Sequence, residues 1–263
     1  MIRPRTRSVY RVETIMCDSK TTSSLLIFTL GDRRERARRQ LLPTRLGALE
    51  RDLYRRGLEA AIEAGRACGC RLEVSSPEPL PVASDVVLSR QTGEDFGQRL
   101  RQAIHRTEAS NPDGSLLVVG TDIPGLDSRH LRHALEQLED DPDRVVVGPS
   151  PDGGFYLLAS HRPLAEVLDQ VRWCRRDTLR TLVAALRGAG RPVTLLPELA
   201  DLDRPVDLFR WLRAECSRHS LWWSVRRSVL TSLRELTRPV VPLLLGKPAL
   251  AQVAVKTGRA PPF

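Results

Sequence analysis

Cysteine is scarce and scattered in this chain: five residues, Cys17, Cys68, Cys70, Cys174 and Cys216, an odd number with no CxxC pair. That spacing excludes a disulfide framework and a zinc ribbon, and a reducing, cytoplasmic compartment is expected. Lysine is missing from the whole middle of the chain, with none between Lys20 and Lys247. Long apolar runs are missing too: no uncharged stretch reaches the roughly 18 residues a membrane-spanning helix needs. The Arg-rich start lacks the apolar segment of a secretory signal. The 263 residues are 41% hydrophobic and 28% charged. That is enough for a substantial core and too mixed for a disordered or low-complexity chain.

The net charge of +9 suggests a nucleic-acid partner until it is divided along the chain. Residues 1–20 carry a net +3 and residues 217–263 a net +7, which leaves residues 21–216 at −1. A nucleic-acid enzyme needs its positive field on the folded body, so no nucleic acid is expected. Three regions follow. Residues 1–22 are a leader, either a disordered arm or an extension of a chain that truly starts at Met16; residues 23–216 are the folded domain; residues 217–263 are a basic extension. In the extension Trp222, Val225, Val229, Leu233 and Leu236 recur at helical spacing, with Arg227, Arg234 and Arg238 off the stripe. Two readings stand: a helix lying on an anionic membrane surface, or one that covers the domain or pairs with a second copy.

Between the ends, short apolar runs alternate with amphipathic stretches. Leu25–Leu30, Arg71–Val74, Asp85–Leu88, Leu116–Val119, Arg144–Val147, Phe155–Leu158 and Val193–Leu196 read as strands. Helices are expected over Arg45–Ala64, Phe96–Ile104, Ser128–Leu138, Leu164–Val171, Thr178–Leu186 and Val206–Glu215, two of them capped by Asp95 and Asp127. This alternation predicts a three-layer α/β domain with a mostly parallel sheet. In such sheets the ligand crevice lies beyond the carboxyl ends of the strands, and the candidate residues are sought there.

After the first strand, Arg33, Arg34, Arg36, Arg38 and Arg39 fall within seven positions. Their planar forks match phosphate oxygens; the other reading is a solvated charged loop leading into a helix. After Val119 comes Gly120-Thr-Asp122, where a carboxylate two residues past a buried strand suits a hard cation shared with substrate phosphates. Asp152-Gly153-Gly154 reads as a hairpin turn whose glycines also admit a ligand close to the backbone. Asp201 and Asp203 share one side of an extended segment by period-two alternation, offering a second carboxylate to the same cation, and Asp207 suits the first turn of the last helix. His130 and His133 stand one helical turn apart without a third ligand, so they read as surface residues. Cys68-Gly-Cys70 reads as small buried residues. Trp173 suits stacking on a base or sugar, or the core.

Together, Gly120-Thr-Asp-Ile-Pro124, Gly148-Pro-Ser-Pro-Asp-Gly-Gly-Phe-Tyr156, Trp173 and Asp201-Leu-Asp-Arg-Pro-Val-Asp-Leu208 resemble the bacterial arsenosugar-biosynthesis-type glycosyltransferases, also called domain of unknown function 2064. The resemblance spans about Leu25 to Leu212, and Gly93 to Arg99 also looks like a segment of that family. It implies a Rossmann-like GT-A fold that binds a nucleoside diphosphate-sugar and a divalent cation, Mg²⁺ or Mn²⁺. It further implies Asp122 as metal ligand and catalytic residue, Asp203 as second metal ligand, and catalytic Asp152 with Gly153 and Gly154 lining the acceptor or sugar site. Where family members carry a Pro-Gly and Lys-Thr-Arg-Leu segment, this chain has its Arg-rich run, so Arg33, Arg34 and Arg36, with Gly120 and Trp173, are the expected substrate-binding set. The expected activity is glycosyl transfer from a nucleotide-sugar donor to a small-molecule acceptor. Two alternatives stand beside it: a guanylyltransferase-like nucleotidyltransferase, and a catalytically silent nucleotide-binding scaffold.

Overall fold

In β1 (Ser24–Phe28) alternate side chains leave in opposite directions, and the two sets enter two different cores. Leu25 and Ile27 pack with Leu58, Ala61, Leu131 and Ala134, while Leu26 packs with Leu100, Ile104, Leu164 and Leu182. A strand buried on both faces is the middle layer of three, as the continuous apolar run requires. Each fully buried leucine stabilises the fold by about 1.5–3 kcal/mol. The computed structural model describes residues 22–213 and 221–236; the leader and most of the basic extension lie outside the described residues.

The other elements are α1 (Asp32–Arg39), α2 (Gly47–Ala67), β2 (Arg71–Ser76), β3 (Val86–Arg90), α3 (Phe96–Ser110), β4 (Leu116–Val119), α4 (Ser128–Asp140) and β5 (Val145–Pro149). They continue with β6 (Phe155–Ser160), α5 (Ala165–Leu168), α6 (Thr178–Gly188), β7 (Val193–Leu195), α7 (Pro205–Arg213) and α8 (Leu221–Leu236). The sheet runs β3-β2-β1-β4-β6-β5-β7. Every pairing is parallel except the two made by β6, which runs against β4 and β5. Helices α2 and α4 cover one face and α3, α5 and α6 the other. The predicted mostly parallel, three-layer sheet is what the chain forms. The chain leaves β1 toward β2 on one side and returns to pair β4 on the other, so the crevice between β1 and β4 is the topological switch point.

The caps read from sequence are in place. Asp95 accepts from the Gln98 amide at 2.8 Å, and Asp127 accepts from the Arg129 amide at 2.9 Å. His130 completes the second cap, its Nδ1 facing Asp127 Oδ1 at 2.9 Å, which explains that histidine without a metal.

Two expectations change. The Arg-rich run is the helix α1 and not a loop, because Arg, Glu and Ala are strong helix formers. The helix expected over Leu164–Val171 shrinks to the single turn α5. The Gln170 and Val171 amides bond only three residues back, to Val167 and Leu168, closing a tighter turn that still buries Leu164, Val167, Leu168 and Val171.

A third cluster holds the segment after α1 together with α2, α7 and α8. Leu41, Leu53, Leu202, Leu208 and Trp211 meet Val229 there, with Leu230 and Leu233 at its edge. The described part of the C-terminal stripe, Val229 and Leu233, is therefore spent on the domain itself and not offered to a membrane surface. The Arg226 guanidinium adds two bonds to the Leu212 carbonyl, at 2.6 and 3.1 Å. Glu50 pins the chain between α1 and α2. Fully buried, it accepts from the Leu41 amide at 2.7 Å, the Leu42 amide at 3.3 Å and the Tyr54 hydroxyl at 3.3 Å. Among the described residues no helix is long and apolar enough to cross a membrane.

Candidate active site

The carboxyl ends of the central strands open into a cleft of about 720 Å³. Loops after β1 and β4, the β5–β6 turn, the segment before α6 and the segment before α7 all line it. At its floor the Thr29 and Thr121 hydroxyls lie 3.2 Å apart, joining the β1 and β4 ends across the switch point. The Leu202 amide donates to the Asp122 carbonyl at 2.9 Å, tying the loop after β4 to the segment before α7.

Period-two alternation acts in that segment as the sequence suggested: Leu202 is buried in the third cluster while Asp201 and Asp203 face the cleft. Asp152 joins them across the cleft, and one carboxylate oxygen from each of Asp152, Asp201 and Asp203 lies within 4.8 Å of the others. Three oxygen donors at that spacing suit a hard divalent cation. Burial, and then the charges of Asp152, Asp203 and Asp122, push the Asp201 carboxyl up to about 7. Asp203 is raised in the same direction by burial, against the pull of Arg39. Carboxylates crowded this way gain most from an added cation.

Asp122 has a different neighbour. Its Oδ2 lies 2.5 Å from Arg39 Nη1, and the same guanidinium reaches Glu35 Oε2 and Asp203 Oδ1 at 3.2 Å each and donates to the Leu202 carbonyl at 3.1 Å. Burial pulls the Arg39 guanidinium down, but Asp122, Glu35 and Asp203 together push it well above its ordinary value, so it stays charged. The cation-spaced cluster thus contains Asp203 and Asp152 with Asp201, and Asp122 sits beside it, bound to a protein cation.

Since the arginine run is a helix, Glu35, Arg38 and Arg39 share the face turned to the cleft, at the i, i+3 and i+4 spacing. Arg33 and Arg34 are exposed on the opposite side. Arg36 turns toward α2, its guanidinium against Gly47 and 3.6 Å from Glu50. None of these three lines the cleft. The arginines of this run that do are Arg38 and Arg39, and reading the run as a helix would have picked them out.

Gly120, Gly154 and Trp173 line the cleft as expected. Gly153 is set back. Its φ of +91° is a left-handed conformation, and a Cβ there would fall 1.9 Å from the Arg176 carbonyl oxygen. The Leu179 amide donates to the Gly153 carbonyl at 2.9 Å, so the β5–β6 turn is seated on the segment before α6. Trp173 is seated likewise on α3: a Cβ at Gly97 would fall 2.3 Å from the indole ring. Phe96 and Phe155 lie 5.5 and 6.1 Å from Trp173, centroid to centroid, and Phe28 lies 5.6 Å from Phe96. Sequence reasoning missed this aromatic wall because its four rings come from four separate elements.

No curated protein matches this chain. Among solved structures, it is similar to a protein of Desulfovibrio desulfuricans G20 described as a "putative nucleotide-diphospho-sugar transferase", at 22% identity and a TM-score of 0.64, covering 81% of this chain and 98% of that one. It is also similar to 4-diphosphocytidyl-2C-methyl-D-erythritol synthase, at 14% identity and a TM-score of 0.50, over 73% of this chain and 98% of that one. These likenesses show a common fold. Residues 60–175, from within α2 to the segment before α6, match the family model described as "Uncharacterized protein conserved in bacteria (DUF2064)", which is the family that the motifs resemble in the sequence.

Proposed function

We propose that this chain is a divalent-cation-dependent transferase that moves a glycosyl group from a nucleotide-sugar to a small-molecule acceptor. The observation that carries the reading is the placement, at the switch point, of the Asp152–Asp201–Asp203 carboxylates beside Arg38, an exposed guanidinium whose charge acts on Asp203 without a close ion pair to it. A carboxylate cluster beside an exposed guanidinium is what a diphosphate with its counter-cation requires. The likeness in fold to a protein described as a nucleotide-diphospho-sugar transferase supports the same reading.

In this reading Asp201 and Asp203 hold a Mg²⁺ or Mn²⁺ ion from the α7 side and Asp152 from the hairpin side. The bound ion supplies charge neutralisation for the leaving diphosphate, usually the largest catalytic contribution. Arg38 lies against the same phosphates. Arg39 keeps Asp122 and Asp203 in place, because a guanidinium that spans three carboxylates fixes all of them at once. Asp152 is exposed in the cleft, where its carboxylate can accept a proton from an acceptor hydroxyl. A second reading, transfer of a nucleotidyl group with release of pyrophosphate, is favoured by the likeness to 4-diphosphocytidyl-2C-methyl-D-erythritol synthase.

Thermal unfolding against a panel of nucleotide-sugars and nucleoside triphosphates, with and without Mn²⁺, tests both. A ligand at about 100 times its Kd adds about 2.7 kcal/mol. The expected result is stabilisation by one nucleotide-sugar that requires Mn²⁺ and is lost in Asp203→Asn. Stabilisation confined to a triphosphate selects the nucleotidyl reading. A flat panel rejects both and leaves the silent scaffold.

A further inference from the structure

Four arginines sit in or next to the segment before α6, and they divide by partner. Arg172 and Arg180 both pair with Asp177, at 2.5 and 3.0 Å. Arg175 and Arg176 line the cleft and have no side-chain partner among the described residues. The carboxylate nearest in the sequence is therefore taken up by the two arginines outside the cleft, and the two cleft-lining guanidiniums are left without one. Beside them stands the aromatic wall, with Trp173 and Phe155 half-buried, and the Trp173 indole N–H makes no hydrogen bond among the described residues.

The backbone there is held in an unusual shape. Cys174, between Trp173 and Arg175, has φ +56°, a left-handed conformation that a non-glycine residue adopts only where its surroundings impose it. The surroundings are visible. The Thr178 hydroxyl, buried, accepts from the Arg175 amide at 3.0 Å and lies 2.9 and 2.7 Å from the Arg172 and Arg175 carbonyls; the Thr181 hydroxyl accepts from the Arg172 amide at 3.1 Å. Gly153 then locks this segment to the hairpin that carries Asp152. The rings, the two free arginines and the Asp152 carboxylate thus stand on one connected backbone wall.

We infer that this wall is the acceptor subsite, and that the acceptor is a molecule with a ring or other flat apolar body bearing a carboxylate or phosphate. The inference rests on the transferase reading above for the word acceptor, and on the wall alone for the ligand chemistry. A flat body stacks against Trp173 and Phe155, the anionic oxygens meet the forks of Arg175 and Arg176, and the group to be modified points toward Asp152. A phosphate and a carboxylate both present paired oxygens to these forks, so both are compatible with the wall.

The test is calorimetric titration of the full chain with 1-naphthyl phosphate, 1-naphthoate, 1-naphthol and inorganic phosphate. Naphthyl phosphate, naphthoate or both should bind, and naphthol and phosphate should each bind at least about tenfold more weakly; the better of the two anions names the acceptor's charged group. The double variant Arg175→Gln/Arg176→Gln, which changes exposed side chains and leaves the backbone bonds of both residues in place, should reduce the anion's affinity about tenfold or more, toward that of naphthol. Trp173→Phe should weaken all three naphthyl compounds. Equal affinity for inorganic phosphate, or an unchanged affinity in the double variant, overturns the subsite.

Repeating the titration in the presence of each nucleoside diphosphate separates this inference from the reading beneath it. Probe binding that persists beside a bound nucleotide supports an acceptor subsite. Displacement of the probe makes the wall the seat of the base and overturns it. Binding of the probe to a chain that takes no nucleotide at all keeps the ligand chemistry and rejects the transferase.

Discussion

On the α1–α7 wall of the cleft a buried guanidinium is surrounded by counter-charge: Arg39 meets Glu35, Asp122 and Asp203 within 3.2 Å. On the opposite wall, built from α3, the β5–β6 hairpin and the segment before α6, Arg175 and Arg176 are exposed and meet no carboxylate among the described residues. Burial decides the difference. A charge taken out of water has to find its counter-charge within the protein, whereas one left in water can wait for a ligand at little cost. The first wall therefore keeps its shape in the absence of any ligand. The second keeps its shape by backbone hydrogen bonds and glycine contacts, which leaves its side chains free to bind.

The largest effect is expected where the comparison is broken on the buried side. Arg39→Ala leaves three carboxylates crowded together, and removing one partner from a buried ionic network costs about 3–5 kcal/mol. Denaturant unfolding should show that loss, and Arg39→Lys should restore only part of it because an ammonium cannot reach Glu35, Asp122 and Asp203 with one planar fork. A loss below about 1 kcal/mol would mean that the network is solvent-screened and the contrast between the walls unreal. On the other wall the comparable break is in the backbone. Gly153→Ala places a methyl group on the Arg176 carbonyl in a left-handed conformation, and overpacking of that kind costs about 1–3 kcal/mol. Near-neutral stability in that variant would show that the hairpin and the α6 segment are not locked together.

How much of this was legible beforehand follows the same division between local and distant causes. The sheet was legible because β1, β4 and β5 are short apolar runs buried on both faces, and alternation is a local property. Asp122 and Asp203 could be picked out because they follow strand ends, where topology puts the crevice; Asp152 reads locally as a turn and entered the site only through the family resemblance. Arg33, Arg34 and Arg36 were picked from the same run as Arg38 and Arg39 because composition does not say which face of a helix a residue occupies. The Arg39 network was beyond reach: its bond to the Leu202 carbonyl spans 163 positions. So was the aromatic wall, since Phe28, Phe96, Phe155 and Trp173 have no common period. The antiparallel turn of β6 between β4 and β5 was signalled only by the short Gly-Pro-rich connection after β5.

The smallest and most informative effect concerns Asp201, which stands between the two walls. Its carboxyl is raised from an ordinary 3.8 to about 7 by burial and by its acidic neighbours. A carboxyl raised on folding contributes stability that is fully present below its unfolded value and is lost as pH climbs through the folded one. Wild type should therefore lose stability relative to Asp201→Asn between about pH 4 and pH 7. The gap at pH 8 should be about 1–2 kcal/mol, since the site is partly open to solvent and the full shift is screened. The same titration governs cation binding with the opposite sign, because a carboxylate ligand has to be deprotonated. Mn²⁺ should bind wild type more tightly at pH 8 than at pH 6, and the variant should bind weakly with little dependence on pH. If wild-type stability and Mn²⁺ affinity are both flat across that range, the three carboxylates do not act as one cluster, and the cation has to be sought at Asp122 in exchange for Arg39.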